Sequence, residues 1–227
     1  MNWEDECYLL SKKKFRENAN IINVFSESKG KMSGVVYGGN SRKIRNYLQI
    51  SNKLFIIHNS KNENKIGYFK TELIKPISPI YFNDKEKTSA IISLCSLLNL
   101  LLPESQPNQK IYIEFEKLVT SLNEKSWINR YILFELNLIK ELGYDTNLSS
   151  FKEKEMKDIF ESKKLKIDEF LYDVPVCLIQ NKIPENSTSL IIKKSLEFTR
   201  KVFLNKFFLP NNLIFPKSKI IFKNYFN

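Results

Sequence analysis

The sequence predicts an α+β protein: an N-terminal five-stranded β-barrel over residues 1–78, followed by an α-helical domain over residues 79–227. Two observations carry that prediction. Short runs of β-branched and aromatic residues, set apart by polar turns, fill the chain as far as Ile74. Beyond Pro76 and Pro79 the apolar residues recur every three or four positions instead of every two.

The strands are expected at Glu6–Lys12, Asn20–Phe25, Met32–Tyr37, Leu54–Asn59 and Ile66–Ile74, with Ser28-Lys29-Gly30-Lys31 as a tight turn. A long loop, Gly38–Asn52, separates the third strand from the fourth. Five short strands in a domain of this size fit a partly open barrel of the OB type. An SH3-like barrel satisfies the same count. Two closely spaced prolines in Lys75-Pro76-Ile77-Ser78-Pro79 end the last strand and mark the boundary.

Helices are predicted over Asp84–Leu102, Gln109–Leu122, Ser126–Leu142 and Ser187–Phe208, with a short closing helix at Lys217–Tyr225. Pro103 and Pro210 stop two of them, Gly143 suits the residue after a third, and Ser187 suits an N-cap. Residues 150–182 read as an irregular insertion: Lys152–Phe160 has helix formers, whereas Lys164–Leu171 alternates weakly in the manner of a strand.

Composition narrows the function. No apolar run approaches the roughly 20 residues that span a bilayer, and the acidic start Asn2-Trp3-Glu4-Asp5-Glu6 does not resemble a signal peptide, so a cytoplasmic protein with no membrane partner is expected. Cys7, Cys95 and Cys177 are odd in number and far apart, with Cys95 and Cys177 in apolar surroundings; they read as buried thiols of a reducing compartment. His58 is the single histidine, and no CxxC pair exists, which argues against a zinc site. Glycine-rich phosphate loops of either common spacing are absent. Glu114 and Glu116 read as the solvated side of a helix, and His58, within an alternating strand, as structural. A non-enzymatic protein without cofactor is the expectation.

The formal net charge is +11. Such charge attracts polyanions, although abundant Lys, Asn and Ile also mark AT-rich coding, so distribution must decide. Between Lys29 and Lys53 stand Lys29, Lys31, Arg42, Lys43, Arg45 and Lys53, with no acidic residue. Two of the five arginines of the chain lie in this run. Arginine binds phosphate bidentately, and Tyr37 and Tyr47 flank the cluster as stacking surfaces for single strands. Lys13, within Lys12-Lys13-Lys14 and close to Arg16, extends the candidate patch. On the late helix Lys193-Lys194 and Arg200-Lys201 read as a solvated face able to receive an acidic peptide.

These segments resemble the bacterial RecO family, recombination mediators of DNA repair. Trp3-Glu4-Asp5-Glu6-Cys7-Tyr8-Leu9-Leu10 is similar to the opening strand of that family. Gly30-Lys31-Met32-Ser33-Gly34 followed by Gly38-Gly39 resembles its turn and glycine–arginine loop, and Leu48-Gln49 the close of that loop. Leu101-Leu102-Pro103-Glu104, Phe134-Glu135-Leu136 with Glu141-Leu142-Gly143-Tyr144, and Phe207-Phe208-Leu209-Pro210 follow in the family order. The acidic start and the Gly-Gly loop look most like alphaproteobacterial members. The resemblance implies an OB fold that binds single- and double-stranded DNA. It also implies a helical domain that receives the acidic C-terminal tail of single-strand binding protein, annealing of complementary strands, and cooperation with RecR in loading RecA. Arg130, Lys193 and Arg200 are the tail-binding candidates it suggests, Arg130 standing in for a basic residue the family often has where this chain has Leu133. Many members carry four zinc-binding cysteines after the "ELGY" segment; here no cysteine follows Tyr144 until Cys177. Outside this family the readings left open are an OB module for RNA or protein, an enzyme with dispersed carboxylates and lysines, and a membrane-surface protein.

Overall fold

The computed structural model describes residues 2–60, 66–152, 158–185 and 187–226. They form two compact units, 1–119 and 120–227.

In the first unit, strands β1 (Asn2–Arg16), β2 (Ala19–Ser26), β3 (Gly30–Tyr37), β4 (Lys53–Asn59) and β5 (Tyr68–Lys75) close into a barrel in the order β1-β2-β3-β5-β4. The N-terminal domain is of the OB type. All pairings are antiparallel except the closing one, where Val35 of β3 meets Tyr68 of β5 in parallel. Alternation sends Leu9, Ile22, Val36, Leu54, Ile56 and Phe69 inward to one shared core. At the seam a glycine is required: a Cβ on Gly34 would sit 2.3 Å from the Phe69 ring.

Strand β1 runs further than Glu6–Lys12 in both directions. Its first half pairs with β4 and its second half with β2, through bulges near Leu10 and Phe15. The expected Gly38–Asn52 loop contains a six-residue helix, α1 (Arg42–Tyr47), capped by the Ser41 hydroxyl, which accepts from Ile44 N. Helices α2 (Lys85–Leu101) and α3 (Gln109–Thr120) follow, α2 capped by Asp84. The first unit therefore takes in α2 and nearly all of α3, so the change from strand to helix at Pro76–Pro79 is not the change of unit. Tyr8 and Phe25, on the outside of the barrel, pack their rings on Tyr112 of α3.

The buried Asn52 amide links these parts. Its Oδ1 accepts from Ile77 N (2.8 Å) and Ser78 N (3.1 Å), and its Nδ2 donates to the Tyr47 carbonyl (2.8 Å). Its own carbonyl accepts from Leu9 N at 3.0 Å.

The second unit packs α4 (Trp127–Glu141), a hairpin of β6 (Ser162–Ile167) and β7 (Phe170–Pro175), the single turn α5 (Val176–Ile179), α6 (Ser189–Phe203) and α7 (Lys217–Lys223). The hairpin corrects the reading of 150–182 as irregular: Lys163, Leu165 and Ile167 alternate against Tyr172 and Val174 in regular antiparallel register. The helix-former stretch Lys152–Phe160 includes residues 153–157, which lie outside the described residues. Helix α6 is capped by Thr188, not Ser187, whose hydroxyl donates to the Pro184 carbonyl instead. Its last turn widens into a π-helical turn, Leu204–Phe208.

Two charge clusters tie this unit together. Lys219 and Glu135 are fully buried, and Lys219 Nζ donates to Glu135 Oε2 at 2.6 Å while the Thr199 hydroxyl donates to the same oxygen at 2.6 Å. The ammonium lies 5.0 Å from the centre of the Tyr131 ring, and burial pushes its pKa down. Nearer the surface, Glu197 accepts from Arg200 and Lys223. Burial alone would raise the pKa of this carboxyl, but those two cations bring it down to about 2.

All three cysteines are buried. His58 stacks on Trp3 at 4.9 Å and is itself buried, a structural position. No helix among the described residues is long and apolar enough to cross a membrane.

Replacing Asn52 with Ala should leave the buried Ile77 N–H and the half-buried Ser78 N–H without their acceptor, while the Tyr47 carbonyl keeps Gln49 N at 2.8 Å. A buried N–H left unpaired costs about 1–3 kcal/mol, so a loss of stability of about 2 kcal/mol by chemical denaturation is expected. Acid should act on the second unit through Glu197. Its folded pKa lies below the ordinary 4.5, so the stability it confers is complete above that pH and is lost as pH falls toward about 2. Melting curves between pH 5 and pH 2.5 should show a shallower acid limb for Glu197→Gln than for the native chain.

Candidate nucleic-acid interface

Helix α1 is built to turn its cations outward. Ile44 and Tyr47, three residues apart, rest on the barrel core, and the Tyr47 hydroxyl donates to the Thr71 carbonyl at 2.6 Å. Arg42, Lys43 and Arg45 fall on the opposite side and are exposed. The entry to α1 is tied to the β1–β2 turn: Gly38, in the left-handed region at φ +71°, donates its N–H to the Asn18 carbonyl at 2.7 Å. Asn40 Nδ2 donates to the Glu17 carbonyl at 2.7 Å, and Asn20 Nδ2 donates to Asn40 Oδ1 at 3.0 Å.

Those ties bring the end of β1 beside α1. Lys13, Lys14 and Arg16 are exposed there, with the Arg16 guanidinium 5.2 Å from the centre of the exposed Phe15 ring. Lys12 reaches across to donate to the Leu48 carbonyl at 2.7 Å, just past α1. Burial and then the neighbouring Arg45 guanidinium push the Lys12 pKa down, a sign of cation crowded against cation. Among the described residues, none of Lys13, Lys14, Arg16, Arg42, Lys43 and Arg45 has a carboxylate within ion-pair distance. Tyr37, 59% exposed, pairs in register with Ala19, which pairs with Arg16, so it stands in the same quarter.

The remaining candidates lie elsewhere or are already engaged. Lys29 is exposed but sits in the β2–β3 turn, at the far end of a hairpin whose strands span about 23 Å. Lys31 is buried, and its Nζ donates to the Asn99 carbonyl at 3.0 Å. Lys53 bridges Glu6 (2.9 Å) and Glu116 (2.6 Å). Glu116, read from sequence as solvated, thus holds the start of β4 and also accepts from the Tyr8 hydroxyl at 3.1 Å. Tyr47 is half-buried against the barrel core, with its hydroxyl engaged by Thr71. Tyr68, absent from the sequence reading, joins the site: 39% exposed, its ring centre is 6.1 Å from that of Tyr37. Only strand register reveals that proximity, because 31 positions separate the two in sequence.

In the second unit, Lys193 and Arg200 lie seven residues apart on one face of α6, with Arg200 already held by Glu197 at 2.6 Å. Arg130, on α4, is paired with Glu124 at 2.6 Å. Among the described residues no group of three His, Cys, Asp or Glu side chains is placed to hold a metal ion. Where the family resemblance implies cysteines after Tyr144, the β6–β7 hairpin stands, clamped through Asp168, which accepts from Tyr144 (2.9 Å) and Lys206 (2.7 Å). These residues do not fit a zinc site.

Comparison with known proteins identifies the family. Residues 1–77 match the family model for the recombination protein O N terminal region, and residues 83–151 the one for its C terminal region. The DNA repair protein RecO of Wolbachia sp. subsp. Drosophila simulans is 30% identical, over 96% of this chain and 97% of that protein. That of Roseobacter denitrificans is 34% identical, over 63% of this chain and 60% of its own length. The counterpart from Cereibacter sphaeroides strain ATCC 17029 is 30% identical, over 66% and 62% respectively. With both halves of the family model matched in order, and a relative similar along nearly its whole length, the chain belongs to the RecO family of DNA repair proteins.

Proposed function

We propose that this protein is a mediator of DNA repair and homologous recombination that binds single- and double-stranded DNA through the cationic side of its barrel and performs no covalent chemistry. The observation that carries this reading is the set of six exposed cations, Lys13, Lys14, Arg16, Arg42, Lys43 and Arg45, without carboxylate partners among the described residues. A cation already paired gains little from phosphate, because it must surrender one anion to take another. These six surrender only water and counterions. Binding is then driven by release of condensed ions from the nucleic acid and weakens steeply with salt.

Annealing follows from the same electrostatics. Two complementary strands repel through their phosphates, and a protein that neutralises several phosphates on each lowers that repulsion while the bases find their partners. No nucleotide, metal or general base is needed for this. In the proposed pathway the protein works with RecR and with single-strand binding protein to help load RecA. The acidic C-terminal tail of single-strand binding protein would meet the Lys193 and Arg200 face of α6, where Glu197 already occupies Arg200 and the tail must displace it.

The test is a triple variant, Arg42→Ala, Lys43→Ala and Arg45→Ala, titrated with a fluorescent single-stranded oligonucleotide across a salt series. Loss of three phosphate contacts should lower the log–log salt slope by about 2 and weaken binding at low salt. Unchanged affinity and slope in a folded variant would remove α1 from the interface. Failure of the native chain to bind at low salt would turn the reading toward a protein-binding module.

A further inference from the structure

The outer surface of the barrel beside α1 carries more than charge. Lys13 pairs with Ile21, Ile21 with Val35, and Val35 with Tyr68, so one cross-strand row runs over four strands. The next row holds Arg16, Ala19 and Tyr37. Cross-strand partners share a face of the sheet. Residues alternate with these rows to face inward: Ile22, Val36 and Phe69 all belong to the core. The two rows therefore point outward together and make a continuous patch. Between Lys13 and Arg16 at one side and the two tyrosines at the other lie Ile21, half-buried, and Ala19 and Val35, both buried, so what the patch offers to solvent is its cationic and aromatic borders.

The tyrosines meet where the barrel closes. Val35 N donates to the Gly67 carbonyl at 3.0 Å, and this single parallel bridge holds β3 and β5 side by side. Their rings are inclined at 58° with centres 6.1 Å apart. Both are substantially exposed, so two aromatic faces are held in place by strands and left in water. An aromatic ring on a rigid strand loses little freedom when a flat partner covers it, and every nucleobase has a flat face of suitable size.

Resting on the nucleic-acid reading above, we propose that Tyr37 and Tyr68 form a stacking platform for unpaired nucleobases, and that this pair makes the cationic face select single strands over duplex. The division of labour follows from what each form of DNA presents. Phosphates line both forms, so Arg42, Lys43, Arg45, Lys13 and Arg16 attract either one. Base faces are available only where a strand is unpaired; in a duplex they are covered by their neighbours. The tyrosines add affinity for the first form and nothing for the second. The same logic gives a product-release device: once two strands have annealed, the stacking contact is lost and duplex is held by charge alone.

The experiment compares Tyr37→Leu/Tyr68→Leu with the native chain, using a single-stranded oligonucleotide and a duplex of equal length in one buffer, each over a salt series. Leucine keeps an apolar side chain on each strand while removing the ring. Single-strand affinity should fall about ten-fold or more for a stacked base, while duplex affinity and both salt slopes hold. Tyr37→Phe/Tyr68→Phe should restore the preference, since stacking uses the ring and not the hydroxyl. If the double leucine variant melts early, Tyr37→Leu alone, at the more exposed position, should show part of the same selective loss. Equal losses for single strand and duplex would overturn the proposal, as would no loss in either while the α1 triple variant still binds poorly. If the native chain binds neither form at low salt, the parent reading fails and the platform with it, an outcome distinct from the other two.

Discussion

The buried amide of Asn52 is the contact on which the geometry of the candidate site depends. It stands after α1 and before β4, and it satisfies backbone groups on three sides: the end of α1, the bend of β1 and the chain leaving β5. A buried polar group that is fully matched fixes one arrangement, because any shift leaves several donors or acceptors without partners. Helix α1 has only six residues and cannot persist alone in water. Its orientation is imposed by Asn52 at one end, by the Asn20–Asn40 pair near the other, and by Ile44 and Tyr47 beneath. The exposed cations are thus mounted on a rigid support although they lie in a connection between strands.

The second unit solves a comparable problem with charge. Glu135 and Lys219 are withdrawn completely from water, and desolvating two ions costs several kcal/mol each. Thr199 and the rings of Tyr131 and Phe222 supply the compensating contacts. Apolar residues of the same volume would offer comparable stability with less direction. What the pair adds is direction: it joins α4, α6 and α7 at one point, where carboxylate, hydroxyl and ammonium meet. The same glutamate belongs to the Phe134-Glu135-Leu136 segment through which the sequence resembles its family, so that resemblance rests partly on a structural need.

Much of the fold is legible in the sequence because the relevant signals are local. β-Branched and aromatic runs mark all five barrel strands, and three- and four-residue spacing marks the long helices. What escapes is either too short or too polar to show a period. Ile44 and Tyr47 give α1 just two anchors, and lysines at 163, 164 and 166 mask the strand alternation of β6. The site is less legible, since charge contiguous in sequence is not contiguous in space. The β2–β3 hairpin carries Lys29 and Lys31 to one end and Tyr37 to the other, while Lys53 is neutralised by Glu6 and Glu116, both outside the basic run. Tyr68 enters through the register of a parallel bridge that no local pattern encodes.

The burial of every cysteine has a chemical consequence. Oxidants attack the thiolate and not the thiol. Burial pushes Cys95 up to about 12 and Cys177 up to about 11, and raises Cys7 well above its ordinary value. Because the hairpin after Tyr144 is clamped by a carboxylate, an ammonium and a phenol, no thiolate is held ready there for a metal either. Peroxide and electrophiles therefore meet three sheltered thiols that stay protonated at neutral pH while the fold is intact. The sulfur chemistry that oxidative stress sets off at exposed thiolates is thereby kept away from the barrel and from the second unit alike.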